Sequence, residues 1–264
     1  MKNIQLNKLN IILIDKTSGS SEIVNKINTL FRANLNHLEI IEESIPILKS
    51  RLSHFAEVKT YLKRIEKIIK VDDQQMMNDF LSSFADGQKN KYEIIFNKLT
   101  KKIKHINSII TISKSGTLKE VLKLWKEKNK NLKVVISESR PGNEGKLFAK
   151  ELLKFGIKVE LISDAMTALY VPQVDAALIG ADEILKNSNV INKVGSKALA
   201  LLCKEHKKPF YVVATKSKIS GRTKFSAQKA DPSKLWNYKS EGLTVSNIYF
   251  EKIEKKLITK IITD

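Results

Sequence analysis

Cysteine is nearly absent. Cys203 stands alone among 264 residues, which excludes an internal disulfide and any zinc site built on paired thiolates. Arginine is scarce as well: Arg32, Arg51, Arg64, Arg140 and Arg222 are the only ones among 47 basic residues. The formal net charge of +19 is therefore almost all lysine, dispersed along the chain. Arginine is the usual residue for bidentate phosphate and base recognition. Scattered lysine without it argues against a dedicated nucleic-acid surface, and nucleic acid is not the expected partner. Long apolar runs are missing too. The N-terminal run Ile11–Ile14 meets Asp15 and Lys16 at once, too short for a secretory signal, and no run approaches the roughly 18–20 residues of a membrane span. The expected location is cytoplasmic, with no membrane partner. His37, His54, His105 and His206 show no metal-ligand spacing, so neither metal nor other cofactor is expected.

Glycine and proline are almost absent from residues 22–105, where only Pro46 and Gly87 interrupt. Apolar residues there recur at helical spacing, as in Val58, Leu62, Ile65 and Ile69, or Ile95, Leu99, Ile103 and Ile106. This predicts an N-terminal helical domain over 1–105, a bundle of four or five helices in which Gly87, after Asp86, marks a helix stop. Beyond residue 106 short apolar runs alternate with helical segments. Strands are expected at Ser108–Ile112, Lys133–Ser137, Lys158–Ile162, Ala176–Ile179 and Phe210–Val213, with helices over Leu118–Lys128, Lys146–Phe155 and Val194–His206. Gly156 sits where a C-cap belongs. Strand–helix–strand spacing predicts a Rossmann-like, doubly wound parallel sheet over 106–264. Residues 215–242 read as a polar excursion before a last strand around Val245.

In such sheets ligands settle where strand ends feed helix N-termini. After the first strand come Ser113, Lys114, Ser115, Gly116 and Thr117, either an anion cradle or a simple helix cap. After the second, Arg140 lies in a loop stiffened by Pro141, Gly142 and Gly145; it reads as a phosphate contact, or as a surface pair with Glu138 or Glu144. Asp182, just past Gly180 and the strand ending at Ile179, suits a general acid or base or a sugar-hydroxyl contact. Asn192 and Lys193 before Gly195 repeat the anion pattern. Asp164 is either a cap or a pocket wall. Cys203, inside an apolar helix, reads as a packing residue, and Trp125 and Trp236 as core or interface anchors.

Glu138-Ser-Arg-Pro with Gly145, Ile162-Ser-Asp164, Gly180-Ala-Asp182, Asn192-Lys-Val-Gly195, Lys208-Pro-Phe-Tyr-Val212 and the ending from Val245 to Thr263 resemble the family of the α, β and δ subunits of translation initiation factor 2B. Methylthioribose-1-phosphate isomerase and ribose-1,5-bisphosphate isomerase belong to the same family. The resemblance covers 106–264 closely and the N-terminal helices in outline. It implies an oligomer, with a sugar phosphate or nucleoside monophosphate as ligand and, in the initiation-factor branch, a translation-factor partner. In the isomerases an aspartate and a cysteine move protons between aldose and ketose phosphates. The aspartate matches Asp182, but Ser113 stands at the cysteine position, and a hydroxyl is far less acidic than a thiol. The isomerases also carry an arginine-glycine-alanine phosphate clamp near the N-terminus. This chain has Thr17-Ser-Gly-Ser-Ser-Glu22 there, leaving Gly19, Ser20 and the following helix start as the phosphate contact. The pattern resembles the initiation-factor branch, which likewise lacks the cysteine; an aldose–ketose isomerase is the alternative.

Overall fold

The computed structural model describes residues 2–15, 18–53 and 55–264; Thr17 and His54 lie outside the described residues. Two compact units divide the chain, Met1–Lys91 and Tyr92–Asp264. Their boundary precedes the change of sequence character near 106, because Ile95, Phe96, Leu99 and Ile103 already belong to the core of the second unit.

Five helices build the first part: α1 (Lys2–Leu13), α2 (Ser20–Arg32), α3 (Leu38–Arg51), α4 (Ala56–Val71) and α5 (Gln74–Thr100). The 3.6-residue spacing puts Val58, Leu62 and Ile65 of α4 on one stripe, buried against Ile23, Ile27 and Phe31 of α2. A buried polar chain crosses this core. Tyr61 Oη donates to Asn28 Oδ1 at 2.9 Å, and Asn28 Nδ2 donates to the Leu81 carbonyl at 3.1 Å. Gly87 does not stop a helix: α5 runs through it. A mid-helix glycine costs only about 1 kcal/mol relative to alanine, and the flanking turns anchor Leu81 and Ile95 in cores.

The second part is α/β. Its elements are β1 (Ser108–Thr111), α6 (Gly116–Lys128), β2 (Lys133–Ser137), α7 (Glu144–Lys154), β3 (Lys158–Ile162), the single-turn α8 (Thr167–Tyr170), β4 (Ala176–Ile179), β5 (Glu183–Ile184), β6 (Val190–Lys193), α9 (Ser196–Glu205), β7 (Phe210–Val213), β8 (Phe250–Ile253) and β9 (Lys260–Ile262). The main sheet is parallel throughout, in the order β3-β2-β1-β4-β7-β9. Alternate residues face opposite sides. Ile109, Val134, Ile136, Leu178 and Val213 enter one core with α6 and α7, while Ile110, Val135, Ala177, Ile179 and Val212 enter another with α9. That double coverage explains why these strands are continuous apolar runs.

Gly156 takes φ +71° after α7. Ile157 N–H donates to the Leu152 carbonyl and Gly156 N–H to the Leu153 carbonyl, the paired bonds of a Schellman end. A second, antiparallel sheet in the order β5-β6-β8 was not expected. Residue 245 is not in a strand. The chain there is tied down by Asn247, whose Nδ2 donates to the Asp231 carbonyl at 2.8 Å, and the last strands come later as β8 and β9. Trp125 is buried, but Trp236 is exposed on the excursion and stacks on Tyr238 at 4.9 Å between ring centroids.

Candidate functional site

The winding reverses between β1 and β4, both neighbours of the sheet centre, and the crevice outside their carboxyl ends is where such folds bind ligands. Ser113, two residues past β1, has φ +63°. Its N–H donates to Ser139 Oγ at 2.8 Å, tying the β1 loop to the β2 loop. Ser139 is itself left-handed at φ +64°, as is Asn143 at +58°. Non-glycine residues in this region cost energy, of the order of 1–3 kcal/mol for most side chains, and persist where the surroundings impose them. At Ser139 the imposing group is Asp164. Its Oδ1 accepts from Ser139 N–H at 2.9 Å and its Oδ2 from Arg140 N–H at 2.6 Å. It thus acts as a clamp on the neighbouring loop, while Ser163 occupies the cap position of the 3-10 turn Asp164–Met166.

Gly145 allows the loop to close. A Cβ there would lie 1.9 Å from the Ser137 carbonyl oxygen, so no side chain fits while α7 starts this close to β2. Gly180, after β4, backs onto Ser115: an added Cβ would meet Ser115 Oγ at 2.2 Å. Ser115 caps α6, its Oγ accepting from Leu118 N–H at 3.2 Å. Lys114 directs its ammonium to Glu151 of α7 at 2.8 Å.

The guanidinium of Arg140 is on an exposed residue, and the two carboxylates nearest in sequence are engaged elsewhere. Glu138 pairs with Lys146 at 2.8 Å, and Glu144 accepts from Lys193 at 2.5 Å. Lys193 is only 4% exposed; its ammonium also sits 4.2 Å from the centroid of the Tyr249 ring, a cation–π contact. Burial, then the Glu144 charge, pushes the Tyr249 phenol above its ordinary range. Asn192 and Lys193 lie on β6 itself, just before the helix. Asn192 Nδ2 donates to Ser196 Oγ at 2.9 Å, and Ser196 Oγ donates to the Lys193 carbonyl. Asp182 follows β4 by three residues and is joined to β6 through its N–H, which donates to the Ile191 carbonyl at 2.9 Å. Ser113, Ser115, Arg140, Gly145 and Gly180 are linked through the loops at the carboxyl ends of β1, β2 and β4, and the Lys193–Glu144 pair joins β6 to the same loop.

Gly19 and Ser20 belong to the first unit. Gly19 is the N-cap residue of α2, and the Ser20 and Ser21 hydroxyls both donate to Glu57 Oε2, at 3.0 and 2.7 Å. Burial pushes the Cys203 thiol up to about 12, so it carries no thiolate at neutral pH. Among the described residues no group of His, Cys, Asp and Glu could hold a metal ion, and no helix is long and apolar enough to cross a membrane. Glu144 and Tyr249 were not anticipated as site residues. Glu144 was visible only as a possible surface partner for Arg140, and Tyr249 reaches the site through pairing of β6 with β8.

A family model described as the initiation factor 2 subunit family matches residues 9–264. The chain belongs to that family. Two Pyrococcus proteins named as eIF-2B subunit 2-like translation initiation factors are similar to it. The one from Pyrococcus abyssi is 28% identical over 97% of this chain and 93% of its own length; the one from Pyrococcus furiosus is 37% identical over 59% of this chain and 55% of its own length. A ribose 1,5-bisphosphate isomerase of Methanocaldococcus jannaschii is 30% identical over 62% of this chain and 55% of its own length. Among solved structures, the Pyrococcus horikoshii translation initiation factor eIF-2B superposes with a TM-score of 0.79 at 27% identity, covering 98% of this chain and 94% of that one. The initiation factor 2 subunit family thus includes relatives named as factors and relatives named as isomerases, and the site must distinguish them.

Proposed function

We propose that this family member is a binding or regulatory protein that holds a sugar phosphate or nucleoside monophosphate at the carboxyl edge of its sheet, without isomerase turnover. The observation that carries the reading is the state of the Arg140 loop. Asp164 fixes its backbone, Glu138 and Glu144 are each taken by a lysine, and the guanidinium is left to meet an incoming phosphate. Lys193, neutralised by Glu144, positions the loop, with Asn192 beside it. Asp182 takes a sugar hydroxyl. Ser113 stands where the resemblance sets the isomerase thiol, and a hydroxyl in that place is a poor proton donor. Ser20 is occupied with Glu57, so the proposed pocket is built without Gly19 and Ser20. Assembly into a homo-oligomer and contact with a translation factor follow from the same family reading; the exposed Leu235, Trp236 and Tyr238 supply apolar surface for assembly.

The test is a thermal-shift series with AMP, ribose 5-phosphate and ribose 1,5-bisphosphate, paired with an assay for ketose phosphate. A ligand at a hundredfold excess over its Kd stabilises by about 2.7 kcal/mol, so the expected result is a clear rise in Tm for at least one compound, lost in Arg140→Met. No ketose phosphate is expected from ribose 1,5-bisphosphate or methylthioribose 1-phosphate. Its appearance with the unaltered protein overturns the reading in favour of an isomerase using Ser113 with Asp182. Turnover gained only in Ser113→Cys locates the deficit in the missing thiol.

A further inference from the structure

Within the first unit, α4 and α5 enclose a groove that is separate from the anion site. On α4, Thr60, Lys63, Arg64, Lys67, Ile68 and Val71 line it; on α5, Met76, Asp79, Phe80 and Ser83 do so, around a cavity of about 760 Å³. On each helix these positions repeat every three or four residues, so the groove is bounded by two straight stripes. From Thr60 to Val71 the α4 wall rises about 16 Å, three turns of helix. Ile68 and the partly buried Phe80 form its apolar floor, while Val71 and Met76 at one end are 64% and 45% exposed. Its charge is one-sided. Lys63, Arg64 and Lys67 stand on the α4 wall against the single Asp79, and Arg64 lies 5.3 Å from the centroid of the Phe80 ring.

We propose that this groove docks an amphipathic, acidic helix of a partner protein. An apolar trough of helical length between two helices accepts a third helix by its apolar stripe. The cationic wall selects glutamate or aspartate along the flank of that stripe and disfavours a basic one. A second copy of this chain suits this groove poorly, since the wall carries Lys63, Arg64 and Lys67 and the chain has only 28 acidic residues against 47 basic ones to set against it.

The probe is a fluorescein-labelled peptide of about 15 residues, long enough to hold helix, with leucines at three- and four-residue spacing and glutamates beside them. It is compared with the same peptide bearing lysines for glutamates and with a scrambled acidic peptide, by anisotropy on the full chain. The acidic helix is expected to bind at least about tenfold more tightly than either control, with affinity falling as salt rises. Lys63→Glu with Lys67→Glu, or Met76→Glu alone, is expected to weaken binding by about tenfold or more while circular dichroism and Tm stay as in the parent. All of these side chains are solvent-exposed, so the variants keep the fold. Equal binding of the lysine peptide or the scrambled peptide, or indifference to both variants, overturns the proposal. So does a change in particle mass by light scattering in Met76→Glu, which assigns the face to a second copy.

Discussion

Lys193 is 4% exposed, and taking an ammonium out of water costs several kcal/mol that pairing must offset. Glu144 supplies the charge and Tyr249 the ring face. Lys193→Met leaves the Glu144 carboxylate, whose side chain is 16% exposed, without that partner, and is expected to cost about 2–4 kcal/mol in urea unfolding. Combined with Glu144→Gln the loss should be smaller than the sum of the two single losses, with a coupling of about 1–3 kcal/mol; strict additivity denies the pair any structural role. The sequence singled out Lys193 only for its place in a pattern expected to bind an anion. Its neutralisation was not legible there, because the partner lies 49 residues away and a pairing across a sheet edge leaves no local trace. The same holds for Asp164, whose clamp on Ser139 and Arg140 depends on β2 and β3 being neighbours.

At the scale of elements, two glycines that look alike in the sequence behave oppositely. Gly87 lies mid-helix, with nothing within 4 Å of the place where a Cβ would stand. Gly87→Ala should stabilise by about 0.5–1 kcal/mol, by reducing the freedom of the unfolded chain. Gly156 also has open space around it, but its φ of +71° disfavours any L side chain, so Gly156→Ala should destabilise by about 1–2 kcal/mol. Chemical denaturation of the two variants, run side by side, separates conformation from crowding: equal signs remove the argument. The local pattern could not tell them apart, since Asp-Gly before a polar stretch signals a stop unless long-range packing carries the helix onward. The four inner strands of the main sheet, β1, β2, β4 and β7, were readable because each is an apolar run buried on both faces, and the edge strand β3 as a short run set between helical segments. β5, β6 and β8 were not. They are short, β6 includes Asn192 and Lys193, and its pairing with β8 joins residues about sixty positions apart.

For the whole molecule, acid should be the weak side. Among the described residues, the carboxyls of Glu160, Asp175 and Glu254 lie below their ordinary range. Hydrogen bonds from Lys133 and Tyr170 lower Glu160. Burial pushes Asp175 up, but the backbone N–H groups of Asn107 and Ser108, the Ser108 hydroxyl and the charge of Lys208 outweigh it. Burial likewise opposes, without overcoming, the backbone and Lys197 contacts that lower Glu254. A carboxyl with a depressed folded pKa contributes stability that is complete above its unfolded value, near 4, and lost as pH falls through the folded one. Protonation also removes the carboxylate charge that offsets 47 lysines and arginines, so the summed charge of the lysine, arginine, aspartate and glutamate side chains climbs from +19 toward +47, and self-repulsion favours expansion. Tm is therefore expected to hold between pH 7 and 5 and to fall steeply below about 4. At pH 3, raising salt to about 0.15 M, where the Debye length is near 8 Å, should restore part of the loss. Repulsion and lost hydrogen bonds can be told apart with Asp175→Asn. It weakens the tie between the starts of β1 and β4 at pH 7, by about 1 kcal/mol, yet leaves one group fewer to protonate. Its Tm should start lower and drop less between pH 7 and 3 than that of the parent. A parallel fall in both proteins, unaffected by salt, would mean that neither the depressed carboxyls nor the lysine excess governs acid stability.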